Sequence, residues 1–587
     1  MKSRYTIAFT AAFLFTVHAM GQQPQATQKP QENINQDVRV VREYTPSISD
    51  ATKLDLMPVL DDTSSYRPAF KYSILSRPIE SNGKIEPITP ARLSAERPPM
   101  VTNTRIKAGM GINNSLMGEL DYNMPSSTDY LLGLSLRQFS SWGNVKLEDD
   151  KKVDAPLHNT FAGVEMKRFF PTLTLTSHMQ FERHSYNYYG FQAFDTAHMY
   201  EIPGNANPVK GTELAVDPFQ RTSQFTIGIG LANREAGKDN LQWRSNIDYS
   251  SFGNKTGVKQ NGLNLYGNLH LPINTLYFNS GLDINIHNLT APDTLGMMYD
   301  FDNRQITLIK ALPRVGYDFG NGYVEAGLFL AGEFGREDDE VRAAPHLYAQ
   351  LDVAQGIVSL FGGLSAHLNG NDYASIQREN PFVSPDALVK SSYYGMNLLG
   401  GIKGNFSSAA SFAARVEYSM FNDEHFYTNN WHQTTAGDIE HVNRFGVLYD
   451  DGTLLKLGGE LLVTPINAIQ LKLTGNYYGW DLDELEKAWN KPQLDLGLGA
   501  IIKATRDLQL EAAITYVGKR DAFIMANTPV EKEFKGFFDA NIAARYDLTR
   551  NWSFWTELNN IAASDNQQWA GYPSYQFHAM VGASYCF

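Results

Sequence analysis

From Tyr575 to Phe587 the chain alternates between two kinds of side chain. Tyr575, Phe577, Ala579, Val581, Ala583, Tyr585 and Phe587 are apolar or aromatic, while Gln576, His578, Met580, Gly582, Ser584 and Cys586 between them are polar or small. Successive side chains of a strand point to opposite faces, so this segment predicts a strand with one greasy and one polar face. The same alternation recurs from Thr104 onward. Downstream of the N-terminal leader, no stretch is long and apolar enough for a transmembrane helix, which takes about 20 residues. In hydrocarbon, backbone groups are satisfied only in helices or closed barrels. A chain of this pattern enters a membrane as an antiparallel β-barrel.

The N-terminus agrees with an exported protein. Lys2 and Arg4 precede an apolar run from Ile7 to Val17, and Ala19-Met20-Gly21 supplies small residues at a cleavage site after Gly21. Residues 1–21 therefore read as a signal peptide, and no cysteine follows the run to make it a lipoprotein signal. The single cysteine, Cys586, excludes an intrachain disulfide and a cysteine-built zinc site. A formal net charge of −13 argues against a nucleic-acid partner.

Residues 22–100 differ in composition from the rest of the chain. They hold ten of the 26 prolines and begin Gln-rich, which suits a periplasmic or lumenal arm more than a globular domain. Within it, Asp37 to Tyr44 is strand-like, and Val38, Val40, Val41 and Tyr44 are its candidates for binding a periplasmic partner by strand addition. The barrel is expected over 101–587, with about 22 strands and 16 to 20 as the alternative. Short turns are expected at Pro125-Ser126-Ser127, Phe170-Pro171-Thr172, Gly320-Asn321-Gly322, Thr464 to Asn467, Thr505-Arg506-Asp507 and Thr549-Arg550-Asn551. Long polar loops are expected over 188–219, 369–391, 421–442 and 518–533. Short turns belong to the periplasmic side of such barrels and long loops to the cell surface, which puts both termini in the periplasm. The weakest strands are Arg304 to Phe319, interrupted by Pro313, and Phe445 to Asp451, where Asp450-Asp451-Gly452 reads as a hairpin turn.

Taking the polar side of each strand as inward gives the lumen-lining candidates Glu119, Asp121, Arg137, Lys472, Asp495, Glu511, Asp539, Arg545 and Glu557. Lipid-side neighbours such as Leu120, Leu471, Leu496 and Leu558 alternate with them. Arg or Lys on the lipid face would cost roughly 2–4 kcal/mol at the midplane, which favours the inward assignment. Such charges on adjacent strands form structural ladders or select a solute. Aromatics near strand ends, among them Tyr186, Tyr188, Tyr189, Tyr477, Tyr478 and Trp480, read as interfacial girdles. His425, Phe426, Tyr427, Trp431, His432 and His441 in segment 421–442 are the one mix suited to stacking on a ligand, without the spacing of a metal site. No HExxH, GxSxG or P-loop is present, so nothing predicts an enzyme or a bound cofactor.

Two features resemble known barrels. A last strand with Tyr585 and Phe587 as its final aromatics resembles the assembly signal of bacterial outer-membrane β-barrels, which implies the barrel-assembly machinery as a partner. Thr556-Glu557-Leu558-Asn559-Asn560, then Gly571-Tyr572-Pro573 and the terminal strand, resemble the closing hairpins of TonB-dependent receptors, in a style similar to the Bacteroidota outer membrane. The resemblance covers the barrel domain. Residues 22–100 are fewer than the plug of such a receptor takes, so no recognisable plug domain is expected.

The expectation is an integral outer-membrane protein surrounded by lipid. It would be a channel or TonB-dependent-receptor-like transporter of a small solute, its lumen partly blocked by the arm or by loops. The alternative is a non-transporting scaffold whose arm binds a periplasmic protein.

Overall fold

The computed structural model describes residues 103–587 apart from 125–128, 149, 191–217, 235–239, 291–303, 337–338, 355–356, 386, 408, 434–438 and 525–529, and the side chains of 430–433, 439–443, 524 and 530. The signal peptide, the arm with Val38, Val40, Val41 and Tyr44, and the turn at Pro125 lie outside the described residues.

Twenty-two antiparallel strands make the wall. The first are β1 (Thr104–Gly111), β2 (Ser115–Asn123), β3 (Tyr130–Ser141), β4 (Leu157–Phe169), β5 (Leu173–Asn187), β6 (Phe219–Asn233), β7 (Gln242–Asn254) and β8 (Lys259–Ile273). Then come β9 (Leu276–Thr290), β10 (Arg304–Asp318), β11 (Gly322–Phe334), β12 (Glu340–Ala354) and β13 (Val358–Asn369). A short helix, α1 (Tyr373–Glu379), precedes β14 (Ser392–Ser407), β15 (Ala410–Gln433), β16 (Ile439–Ile466) and β17 (Ile469–Leu482). The last are β18 (Leu494–Lys503), β19 (Leu508–Val517), β20 (Phe537–Asp547), β21 (Trp552–Asn559) and β22 (His578–Cys586). Each pairs with its neighbours in chain order, and β1 closes the ring on β22 from Arg105 opposite Cys586 to Gly111 opposite Met580. The count expected from the alternation is met. β10 runs through Pro313 unbroken.

One apolar band wraps this ring. Ile229, Ile247, Leu328, Leu398, Leu473 and Val581 are among the many large apolar side chains that stand exposed. A contiguous apolar surface on a closed sheet is the lipid-facing surface of a membrane-spanning barrel. The expected turns at Phe170, Gly320, Thr464, Thr505 and Thr549 all fall at one end of the barrel. There Asn103 N–H bonds the Phe587 carbonyl at 3.2 Å, so the chain leaves the wall beside the point where it entered. The long connections all open at the other end.

Three expectations are corrected. Segment 421–442 is not a loop: β15 and β16 continue through it as one paired hairpin up to Gln433 opposite Ile439. Asp450-Asp451-Gly452 is no turn, because β16 passes straight through it; the Asp450 carboxylate instead accepts the backbone N–H groups of Glu484 and Leu485 at 3.1 and 2.7 Å. The last strand starts at His578 and not at Tyr575, whose hydroxyl leaves the strand to bond the Ala155 carbonyl. In each case a long-range partner unseen in the local pattern decides the backbone.

The ring closes over a glycine pair. Gly109 on β1 stands opposite Gly582 on β22, and the Trp555 ring lies across both at van der Waals contact. A Cβ at Gly109 would drive into that ring and come within 2.9 Å of the Val581 carbonyl oxygen. Overpacking of this kind costs about 1–3 kcal/mol. Gly109→Ala is therefore expected to lower the temperature at which the folded barrel converts to the unfolded band on a gel. Adding Trp555→Leu should recover part of the loss; an unchanged temperature for the single variant would refute this view of the seam.

Candidate functional site

The charged residues of the wall share a single face. Cross-strand registers carry it from Asp495 opposite Asn476, through Gln509 opposite Arg545 and Ala543 opposite Glu557, to Asp121 opposite Arg105. All nine lumen candidates stand on that face, and each has a hydrogen-bond or ion-pair partner. Arg105 is the hub of the first group: its guanidinium meets Asp121 at 2.6 Å and lies 3.8 Å from Glu119, while Arg137 is 3.9 Å from Asp121 on the far side. Ser135 donates to Asp121 at 2.6 Å. Glu557 pairs with Lys107 at 3.0 Å, both side chains being buried, and the ammonium lies 4.1 Å from the centre of a Trp555 ring. The other five are paired separately: Lys472 with Glu460 at 3.3 Å, Asp495 with Asn476, Glu511 with Gln509, Asp539 with Asn541, and Arg545 with Asp547 at 2.8 Å.

A second group on the same face was not singled out from the sequence. Glu325 accepts from Tyr277 at 2.9 Å and Asn279 at 3.2 Å, and Arg314 lies 3.2 Å away. Lys310 pairs with Asp283 nearby at 2.9 Å. The signal was available in the alternation of Asp283, Asn285 and His287 along β9. Tyr585 packs against Trp552 at 4.8 Å and against Phe587 at 4.7 Å, with Phe587 and Trp552 exposed on the apolar side.

At the loop end the structure departs most from expectation. β14 pairs with β15 only to Asn422, and β17 with β16 only from Gly452. The hairpin between them, 423–451, therefore rises beyond the wall as a two-stranded mast. Its edges are taken up by other loops: Val383 bridges to Phe445 on one side, and Ile524 to Asn429 on the other. Exposed strand edges are costly to leave open, and here each is met at one residue by a neighbouring segment.

Around the mast the loops bury an aromatic core. Phe445, Val383 and Ala522 are completely buried, with Tyr427, Trp569 and Tyr572 beside them. Tyr572 stacks on Phe382 with ring centres 3.5 Å apart, and Trp569 meets Tyr427 edge-on at 4.9 Å. Tyr186 and Tyr188 donate their hydroxyls to the carbonyls of Pro381 and Val383. Tyr189 donates to Pro573. These three tyrosines are thus pillars of the loop assembly and not the interfacial girdle that their position at a strand end suggested. Each needs a buried partner for its hydroxyl, and the loop carbonyls provide it.

Segment 370–391 carries α1, which the strand-like pattern of the chain hid. Asp372 caps it, accepting from Ser375 N–H at 2.6 Å, while Ser375 Oγ accepts from Asp372 N–H at 2.9 Å. The helix lies over polar-face side chains: Gln260 accepts from Ala374 N–H, and Asn254 donates to Tyr373 and Gln377. From the same end, Glu379 and His425 join α1 to the mast at 2.8 Å.

The most charged contact of the loop assembly is at the base of the mast. Glu424 is 5% exposed, accepts from Lys491 Nζ at 2.5 Å and from Tyr394 Oη at 2.9 Å, and has His425 Nδ1 at 3.6 Å. Burial alone would push its carboxyl up. The Lys491 ammonium, His425 and the bonds from Lys491 and Tyr394 outweigh that and hold it below the ordinary glutamate value.

Two outcomes are expected from these contacts. Glu557→Ala leaves the Lys107 ammonium buried without its counter-ion, which costs about 3–5 kcal/mol. Denaturant unfolding of the barrel should show that loss, with much of it recovered when Lys107→Met is added; equal stability of Glu557→Ala and the unmodified protein would sink the pairing. A depressed carboxylate pKa contributes stability that is complete above the ordinary glutamate value, about 4.3, and is lost as pH falls through the lowered one. Docking of residues 483–493 on the mast, monitored by acid-protease cleavage, should therefore persist at pH 5 and fail only below that ordinary value. Release near pH 6 would instead assign the contact to a histidine.

No family model matches the sequence, and no curated relative does. Solved structures do. The ferric enterobactin receptor PfeA (G324V) of Pseudomonas aeruginosa superposes with a TM-score of 0.58 at 12% identity, over 83% of this chain and 80% of that one. The FrpB iron transporter of Neisseria meningitidis (F3-3 variant) gives 0.60 at 10% identity, over 82% and 81%. The siderophore receptor PirA of Acinetobacter baumannii gives 0.60 at 9% identity, over 83% and 80%. The chain has the barrel fold of TonB-dependent siderophore receptors.

Proposed function

We propose that this chain is an outer-membrane receptor or transporter barrel for a small solute, with the polar face lining its lumen. The observation that carries the reading is the closed ring of 22 strands with one apolar and one charged face, in the fold shared with named iron-siderophore receptors. On this reading Glu119, Asp121, Arg137, Lys472, Asp495, Glu511, Asp539, Arg545 and Glu557 line the passage. The short turns and both ends of the described chain face the periplasm, and the aromatic loop assembly faces outward. Tyr585 and Phe587 are the signal read by the barrel-assembly machinery. The solute is not specified by these residues, since each of them already has an internal partner.

A 22-stranded barrel is too wide for its own side chains to fill and is normally plugged. On this reading that role falls to residues 22–100, following signal-peptide removal after Gly21, together with the loops. A scaffold role, with Val38, Val40, Val41 and Tyr44 adding a strand to a periplasmic partner, is favoured by one observation: the loops meet in a buried aromatic core, as a lasting closure would.

Planar-bilayer conductance of the mature protein, compared with a variant lacking residues 22–100, separates the two. Transport predicts a small or gated conductance that becomes a large, steady pore on deletion. Silence from both, with circular dichroism confirming folded barrels, would overturn an open passage blocked by the arm and leave closure by the loops or the scaffold role.

A further inference from the structure

The Lys491 ammonium sits in a built cage. Beneath it is the buried carboxylate of Glu424, at 2.5 Å. To its sides are the rings of Phe426 and Trp480, whose centres lie 4.8 and 5.0 Å from Nζ. The two rings meet edge-on at 5.5 Å, and Phe421 braces Trp480 from behind at 5.6 Å. Tyr394 fixes the second carboxylate oxygen at 2.9 Å and is itself stacked on His367 at 4.4 Å. Phe426 is wholly buried and Phe421 nearly so, and both belong to the strand that carries Glu424, so the carboxylate and its aromatic walls come from the barrel and the mast and not from the connection that bears the lysine.

Lys491 differs from those walls. Its side chain is 17% exposed, and it is delivered by a connection between strands, not by the wall. The delivery is a tight turn: Lys491 N–H bonds the Ala488 carbonyl at 3.1 Å, and Asn490 takes a left-handed φ of +62°. Asn490 also donates to the Tyr427 carbonyl at 2.6 Å, which seats the turn on the mast. A pair of aromatic rings beside a carboxylate attracts any ammonium group, and an alkylated one more than a primary one, because it sheds water more cheaply.

We propose that Glu424, Phe426 and Trp480 form a binding site for an organic ammonium solute, and that Lys491 occupies it from within the chain until such a solute displaces it. Displacement removes one of the contacts, beside those of Asn490 and Asp450, that seat the 483–493 strap on the mast, so the site couples ligand arrival to loosening of the loop assembly. The cage binds an ammonium whether or not the barrel conducts; only its use as a gate rests on the transport reading.

The test uses the full mature protein in lipid nanodiscs, with choline as probe and 3,3-dimethyl-1-butanol as its uncharged counterpart. Lys491→Ala opens the cage and is expected to bind choline about tenfold more tightly than the unmodified protein, read by calorimetry and tryptophan fluorescence. The uncharged alcohol should not bind. Adding Glu424→Gln to Lys491→Ala should abolish the gain; if that pair fails to fold, Trp480→Leu with Lys491→Ala serves the same purpose, with protease resistance of the mast confirming the fold. Equal choline affinity with and without Lys491, or equal binding of the alcohol, overturns the proposal. A barrel that stays silent in bilayers while Lys491→Ala binds choline would overturn the use of the site as a gate and support the site itself.

Discussion

The whole molecule depends on one closure, the antiparallel pairing of β1 with β22. A sheet in hydrocarbon has no water to satisfy its edge groups, so an open edge there costs several kcal/mol per unpaired group. From Arg105 opposite Cys586 to Gly111 opposite Met580 the first and last strands remove both edges at once. The seam is made close by the Gly109–Gly582 pair, and it is covered on its polar side by Trp555 and the buried Lys107–Glu557 pair. Closure turns simple alternation into two environments. One face meets lipid, and the other gathers the charges of the wall.

Around that ring the barrel is uneven. The strands of the seam have 8 or 9 residues, about what a tilted strand needs to cross a bilayer, whereas β15 and β16 have 24 and 28. The surplus is the mast, and a lone two-stranded ribbon is marginal in water. It persists because loops supply both its missing edges and its missing core. Val383 and Ile524 each pair one residue of an edge, and Phe445, Tyr427, Trp569 and Tyr572 form the buried core. The loops are likewise held by the mast, so the loop assembly forms as a unit. The Lys491 cage stands at its base, where a change in one ammonium bears on the seating of a whole strap.

The sequence displayed the wall far better than the loops. Alternation such as that of Tyr585, Val581 and Ala579 is a local property, and it sufficed for the count of about 22 strands and for grouping the short turns at one end. Even Pro313 could be absorbed, because a strand tolerates one missing donor more readily than a helix does. The charged face was legible for the same reason. Its partners were not: Lys107 and Glu557 are 450 residues apart, and only the closed ring makes them neighbours. The loop assembly was misread because its logic is entirely long-range. His425, Phe426 and Tyr427 look like a loop with ligand-binding side chains, yet pairing with β16 makes them strand. Tyr186 and Tyr188 look like a girdle until the carbonyls of Pro381 and Val383 arrive from another loop.

The central claim is that the alternation divides lipid from lumen. Replacing Cys586 with Ser and introducing one fluorophore-labelled cysteine at a time tests it directly. Ile229, Ile247 and Leu473 sample one face, and Asp495, Glu511 and Asp539 the other. The account predicts that a bilayer-dissolved quencher dims the first three while a small water-soluble quencher dims the second three. The same quencher acting on both sets would contradict it.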